Sequence, residues 1–225
     1  PYSIELSNNE EEKKLNSKIN IESLNLQLEN ELLYGKEFNS GLLELNSLNF
    51  KSITEYKASK DYFKFKIFDK AQKSKFSYNG ELNFRPFYSN LEGSASELNF
   101  FHLFSNNAIM KEVLRTEILN NRNIDFKLNI SANKIKNFVD FTDIFLNSKI
   151  QEGLIDLDET KFSWKNYANF NLSDSLIYMK NGKLILDASS EINLINSNEV
   201  YKFLLTPKNL RKKINKINVN FTYLF

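Results

Sequence analysis

Few side chains in this sequence are equipped to make or break bonds. His102 is the single histidine. It lies in the run "LNFFHLFS" beside Phe100, Phe101 and Phe104. A nucleophile–histidine pair would have to use it, and no nucleophile signature accompanies it. The plainer reading is a histidine packed among aromatics at a strand end. "DLDE" sets Asp156 and Asp158 on one side of a strand, with Glu159 adjacent. Two carboxylates at that spacing suit a hard cation or an acid/base pair. No glycine-bearing calcium loop goes with them, so they read as a solvated strand face. The sequence has no cysteine, which removes thiolate catalysis, disulfides and thiolate-bound metals. No glycine spacing resembles a phosphate-binding loop. The expectation is therefore no catalytic residue, no metal site, no cofactor and no enzymatic turnover.

One stretch can bind rather than react. "PKNLRKKINK" carries Lys208, Arg211, Lys212, Lys213 and Lys216. Cations so placed can meet phosphates, of nucleic acid or of lipid headgroups. Single-strand recognition would interleave a basic groove with stacking aromatics. Here the aromatics keep to strand parity, and Trp164 with Phe162 reads as a packing anchor. The overall balance is 30 basic against 28 acidic residues, net +2, which is no nucleic-acid footprint. The default reading is a solvated helix face, with Lys208, Arg211 and Lys212 as the candidates for contact with lipid headgroups.

The elements that would hold these groups are mostly strands. "INIESLNLQLEN", "GLLELNSLNFKSI" and "DYFKFKIF" alternate apolar and polar residues with period two. The first two slip phase, at Ser23 and after Leu45, which reads as a bulge or kink. "NNEEEKKLNSK", residues 8–18, reads as a charged linker or loop. "KFSYNGELNF" reads as a hairpin with a three-residue loop ending in Gly80, pairing Phe76 with Leu82. "SNNAIMKEVLRTEIL" has helical spacing from Ser105, and helix is expected near 106–118. A second helical region is expected near 198–213, broken at Thr206, with Pro207 at a first helical position. Residues 136–148 are ambiguous. "INVNFTYLF" alternates cleanly to the end.

The hairpin "SLIYMKNGKLILDASSEINLIN" is the most apolar part, turning at Asn181-Gly182. A two-residue turn and a three-residue loop both give an apolar face here; with the two-residue turn one face carries Ile177, Met179, Leu184 and Leu186, with no polar residue. The other carries Leu176, Tyr178 and Ile185 beside Lys180, Lys183 and Asp187. A sheet covered on one side needs only one apolar face. One explanation is that one face lines a groove while the other packs under a helix.

The chain has 225 residues with 14% aromatics, too many for disorder. Gly (6) and Pro (3) are scarce while Asn and Lys abound, the mark of an AT-rich coding bias that weakens Asn and Lys as evidence. No apolar run approaches the roughly 20 residues of a membrane helix. No break in composition marks a boundary, so residues 1–225 read as a single elongated β-rich domain. It starts at Pro1 without a Met, and reads as the C-terminal fragment of a longer chain. The fold class expected is mainly β: an elongated, curved, groove-like antiparallel sheet with two short helical excursions.

The sequence resembles the C-terminal region of AsmA-like proteins of Gram-negative envelopes. The residues that carry this are "GELNFRPFYSNLEGSASELNF", "NNAIMKEVLRTEIL", "NIDFKLNISANKIKN" and "IQEGLIDLDETKFSWKN", then "DSLIYMKNGKLILDASSEINLIN" and "VYKFLLTPKNLRKKINKINVNFTYLF". They span about the last two thirds of the chain, with the phrases "EG-x-I-D-L" and "L-T-P-K". The resemblance implies a non-enzymatic periplasmic β-groove that binds or conducts phospholipid between inner and outer membranes. It also implies a role in outer-membrane assembly and an inner-membrane anchor in a segment absent from this chain. It names no protein partner and transfers no single functional residue. The groove candidates, Ile177, Met179, Leu184 and Leu186, come from the hairpin pattern alone. The rival expectations are a structural β-sandwich or adhesin-like module, and an outer-membrane β-barrel.

Overall fold

The computed structural model describes residues 2–47, 50–71, 75–98 and 124–224, with Leu24 and Phe50 by backbone alone. The protein is mainly β, 71% strand against 6% helix, as the alternation predicts. The chain divides into two compact units, residues 1–94 and 95–225.

Unit 1 is a meander. Its strands are β1 (Tyr2–Asn9), β2 (Lys14–Ile21), β3 (Leu26–Leu33), β4 (Asn39–Ser47), β5 (Phe50–Ala58), β6 (Tyr62–Asp69) and β7 (Phe76–Phe84). Each pairs antiparallel with the next. β8 (Phe87–Leu98) follows beside β7, and its residues from Ala95 belong to unit 2.

Three expectations change here. The phase slip at Ser23 is a reversal, not a bulge. A 3-10 turn at Glu22–Leu24 ends with Asn25 left-handed at φ 46°, and β2 then pairs with β3. Asparagine tolerates that conformation, so a hairpin closes without glycine. The second slip likewise separates paired strands, with Ser47 opposite Phe50. Most of the expected linker or loop 8–18 is hairpin, since Asn8 and Asn9 pair with Leu15 and Lys14 across the turn at 10–13.

The Asn79-Gly80 turn is absent. β7 runs straight through it, with Asn79 opposite Lys66 and Gly80 opposite Phe65. Straight alternation already puts Phe76, Tyr78, Leu82 and Phe84 on one side, so no turn is needed to keep an apolar face. Gly80 serves close approach: a Cβ there would run into the Phe65 ring. Gly41 does the same beneath its cross-strand partner Tyr56.

Unit 2 contains β9 (Asp125–Ile135), β10 (Phe138–Gln151), β11 (Leu154–Asp156), β12 (Lys161–Trp164), β13 (Ala168–Lys180), β14 (Lys183–Leu194) and β15 (Lys216–Leu224). The ambiguous stretch 136–148 is thus a turn and most of β10. Among the described residues these strands pair antiparallel, with β11 and β12 both bridging β10 to β13. Asn181-Gly182 forms the two-residue turn, with φ 50° and 70°, and Lys180 faces Lys183. Glu152-Gly153 forms another, with φ 50° and 78°.

The helix expected near 106–118, and His102, lie outside the described residues. The region near 198–213 holds α1 (Ser197–Phe203) and a single 3-10 turn at Lys208–Leu210. Pro207 is not the first helical residue. Its ψ of 143° is extended, and it caps the 3-10 turn.

The Phe65–Gly80 pair makes a test. Gly80→Ala should lower unfolding free energy by about 1–3 kcal/mol through overpacking, and adding Phe65→Leu should recover part of it. Urea unfolding of the two single variants, the double variant and the parent measures this; a Gly80→Ala protein as stable as the parent would refute the close approach.

Candidate functional site

The carboxylates considered for catalysis are used by the backbone. Asp156 Oδ1 accepts the Asp158 N–H at 2.7 Å. Asp158 Oδ1 accepts the Ser175 N–H at 2.7 Å. Ser175 is buried and sits where the β13–β14 register shifts, next to Asp174 at φ 49°. A bulge leaves a backbone donor without a strand partner, and Asp158 supplies the acceptor. Among the described residues no group of three or more acidic or histidine side chains could hold a metal.

The four hairpin candidates do share one face, Ile177 opposite Leu186 and Met179 opposite Leu184. They are not equally available. Ile177 is 1% and Leu184 2% exposed, in a core with Ile150 and Ile155. Met179 and Leu186 are half-buried against that core. On the reverse face the polar groups bond one another. Asp187 accepts from Tyr178 Oη at 2.5 Å and Thr222 Oγ1 at 2.6 Å. The Thr222 bond first, then the Tyr178 bond, hold the Asp187 carboxyl below its ordinary range.

A broader apolar surface lies in unit 1. Register carries it from strand to strand: Ile4 opposite Ile19, Ile19 opposite Leu28, Leu28 opposite Leu45. Further along, Tyr56 faces Phe65, Ile67 faces Tyr78 and Phe63 faces Leu82. Across β1 to β7 the one charged residue of this face is Asp69, at its end. Seven strands at roughly 4.8 Å spacing make it about 29 Å wide. Burial raises the pKa of Tyr56 and Tyr78, and Tyr56 Oη donates to Asn30 Oδ1 at 2.7 Å.

This face is buried at one end, at Ser52, Asp69 and Phe76, and is open over the rest. Leu28, Leu43, Leu45, Phe63, Phe65 and Ile67 are all half-buried, and Ile4 and Leu6 are exposed. Sheets normally bury such a face against another layer. The signal for it is the same alternation that marks the hairpin, once the phase slips are taken as reversals.

The opposite face of unit 1 is charged and cross-linked. Lys18–Glu29 and Lys14–Glu31 are paired at 2.8 Å, Lys64–Glu81 at 3.2 Å, and Lys70 pairs with Glu44. The hydrogen bond and charge of each partner raise the Lys18 pKa and lower that of Glu29. A cavity of about 560 Å³ on this side is lined by Glu5, Lys18, Glu29, Glu31 and Glu44 among others. Its wall of ion pairs suits water and ions, not hydrocarbon.

The candidate cations stand near α1. Lys208 and Lys212 are exposed, while Arg211 is half-buried with Nε donating to the Thr206 carbonyl at 3.0 Å. No family model, curated protein or solved structure matches this chain.

Removing the Asp158 acceptor should be costly for stability. Asp158→Ala leaves the buried Ser175 N–H without its bond and should cost about 1–3 kcal/mol. Urea unfolding reads this directly, and an unchanged midpoint would show that the bond adds nothing.

Proposed function

We propose that this chain binds phospholipid, with the acyl chains lying on the apolar face of unit 1. One observation carries the reading: a charge-poor face seven strands wide, half-exposed over most of its extent and buried only towards Ser52, Asp69 and Phe76. Each CH₂ kept from water is worth about 0.8 kcal/mol, so such a face gains by accepting hydrocarbon. The charged reverse face keeps the sheet wetted on its other side.

The resemblance to AsmA-like proteins extends the proposal. The chain would be the periplasmic part of an inner-membrane-anchored, non-enzymatic envelope protein. It would pass phospholipid between inner and outer membranes and so serve outer-membrane assembly. Nothing in such a task needs an acid, a base or a metal. For unit 2 the buried Ile177 and Leu184 favour a second reading, a packing module that supports rather than holds lipid.

Leu45→Glu tests the proposal. On an open face the carboxylate reaches water, so the melting temperature should fall modestly while lipid extracted with the protein falls severalfold. In a closed core the same change would cost several kcal/mol and unfold a typical domain. Ile177→Glu is the closed-core control and should collapse the fold. Unchanged bound lipid in a folded Leu45→Glu protein, or no lipid on the parent, would overturn the reading.

A further inference from the structure

A small exposed apolar stretch lies between α1 and the 3-10 turn, followed in sequence by cations. α1 ends in a Schellman arrangement: Leu205 N–H donates to the Lys202 carbonyl at 3.1 Å and Thr206 N–H to the Tyr201 carbonyl at 2.8 Å. The left-handed position of that motif normally takes glycine or asparagine. Here it is Leu205, at φ 53°, with 87% of its surface exposed. A leucine there pays backbone strain and gains no burial in the chain itself. Its neighbours are similarly open: Phe203 at 61%, Leu204 at 62% and Leu210 at 62%.

The stretch is braced. Tyr201 Oη donates to the Lys212 carbonyl at 2.5 Å, and Arg211 Nε to the Thr206 carbonyl at 3.0 Å. The Phe203 ring meets Trp164 edge-on, with centroids 4.8 Å apart. The unpaired charge near it in sequence is positive. Lys208, Arg211, Lys212 and Lys213 have no carboxylate partner among the described residues, and the nearby Glu199 is bonded to Lys202.

We infer that this stretch docks on an anionic phospholipid bilayer, with Leu205 and its neighbours in the interface and the four cations on the headgroups. The two halves of the site match the two halves of that surface: apolar side chains enter the acyl boundary and cations hold anionic headgroups. A protein partner would need its own acidic rim around an apolar socket. A bilayer of anionic lipid offers both everywhere. The inference goes beyond the sheet-face reading, because it concerns a membrane surface and stands even if the sheet holds no lipid.

The experiment is sedimentation with vesicles of phosphatidylglycerol or of phosphatidylcholine, for the parent and two variants. The parent should bind phosphatidylglycerol vesicles and lose that binding as salt rises. Leu205→Gly should weaken it about tenfold through lost apolar burial. Its melting temperature should hold or rise, since glycine takes the left-handed position freely. Lys208→Ala, Lys212→Ala and Lys213→Ala together should weaken binding about fivefold per residue. Equal binding to phosphatidylcholine vesicles would overturn the inference. So would undiminished binding by both folded variants, or no binding by the parent. Vesicle docking is read by sedimentation and sheet-bound lipid by extraction, so the two readings fail separately.

Discussion

Everything in unit 1 depends on side-chain parity held in register from strand to strand. A strand points alternate residues to opposite faces, and antiparallel pairing sets like against like. A one-residue slip anywhere would carry lysines and glutamates onto the apolar side. The register is pinned from both faces. Lys18–Glu29 and Lys64–Glu81 join directly opposed residues on the charged side. On the other side Tyr56 lies over Gly41 and Phe65 over Gly80, contacts that a side chain at either glycine would prevent. Exposed ion pairs of this kind contribute little stability each. Their value is in favouring this register, which sets Lys18 against Glu29 and Lys64 against Glu81, although it also opposes Glu29 to Glu44 and Lys57 to Lys64.

Unit 2 breaks the same rule locally and builds a core as a result. Register shifts interrupt β9–β10 and β13–β14. They let Leu172 and Ile177 fall on one face although five residues apart, opposite Ser190 and Leu186. The backbone donor freed at Ser175 is taken by Asp158, and the cluster of Ile150, Ile155, Ile177 and Leu184 closes alongside. The two units therefore use their apolar faces differently: one stays half-open, the other is largely filled by its own residues.

The fold class is legible in the sequence because period two is a direct consequence of strand geometry. Turns are legible only where chemistry dictates them. Asn181-Gly182 has both residues at positive φ and needs its glycine. Asn79-Gly80 has the same letters, yet Gly80 answers to the ring above it, a constraint from a neighbouring strand that no local window contains. The reversal at residues 22–25 carries neither glycine nor proline, and its left-handed residue is one asparagine among many. Alternation shows that Ile177, Met179, Leu184 and Leu186 share a face. Which of them remain open depends on β10 and β11, distant in sequence, and alternation does not carry that. The cations at Lys208, Arg211 and Lys212 are visible as charge. Leu205 is not, because exposure and a positive φ leave no mark on composition.

The central claim is that hydrocarbon lies on one face of unit 1 and not on the other. Photo-crosslinking tests it most directly, with a photoreactive residue placed at Leu28 or Leu45 on the apolar face, or at Glu29 or Glu44 on the charged one. The account predicts phospholipid adducts at Leu28 and Leu45 and none at Glu29 and Glu44. Adducts of equal yield on both faces, or none at Leu28 and Leu45 in a folded protein, would contradict it.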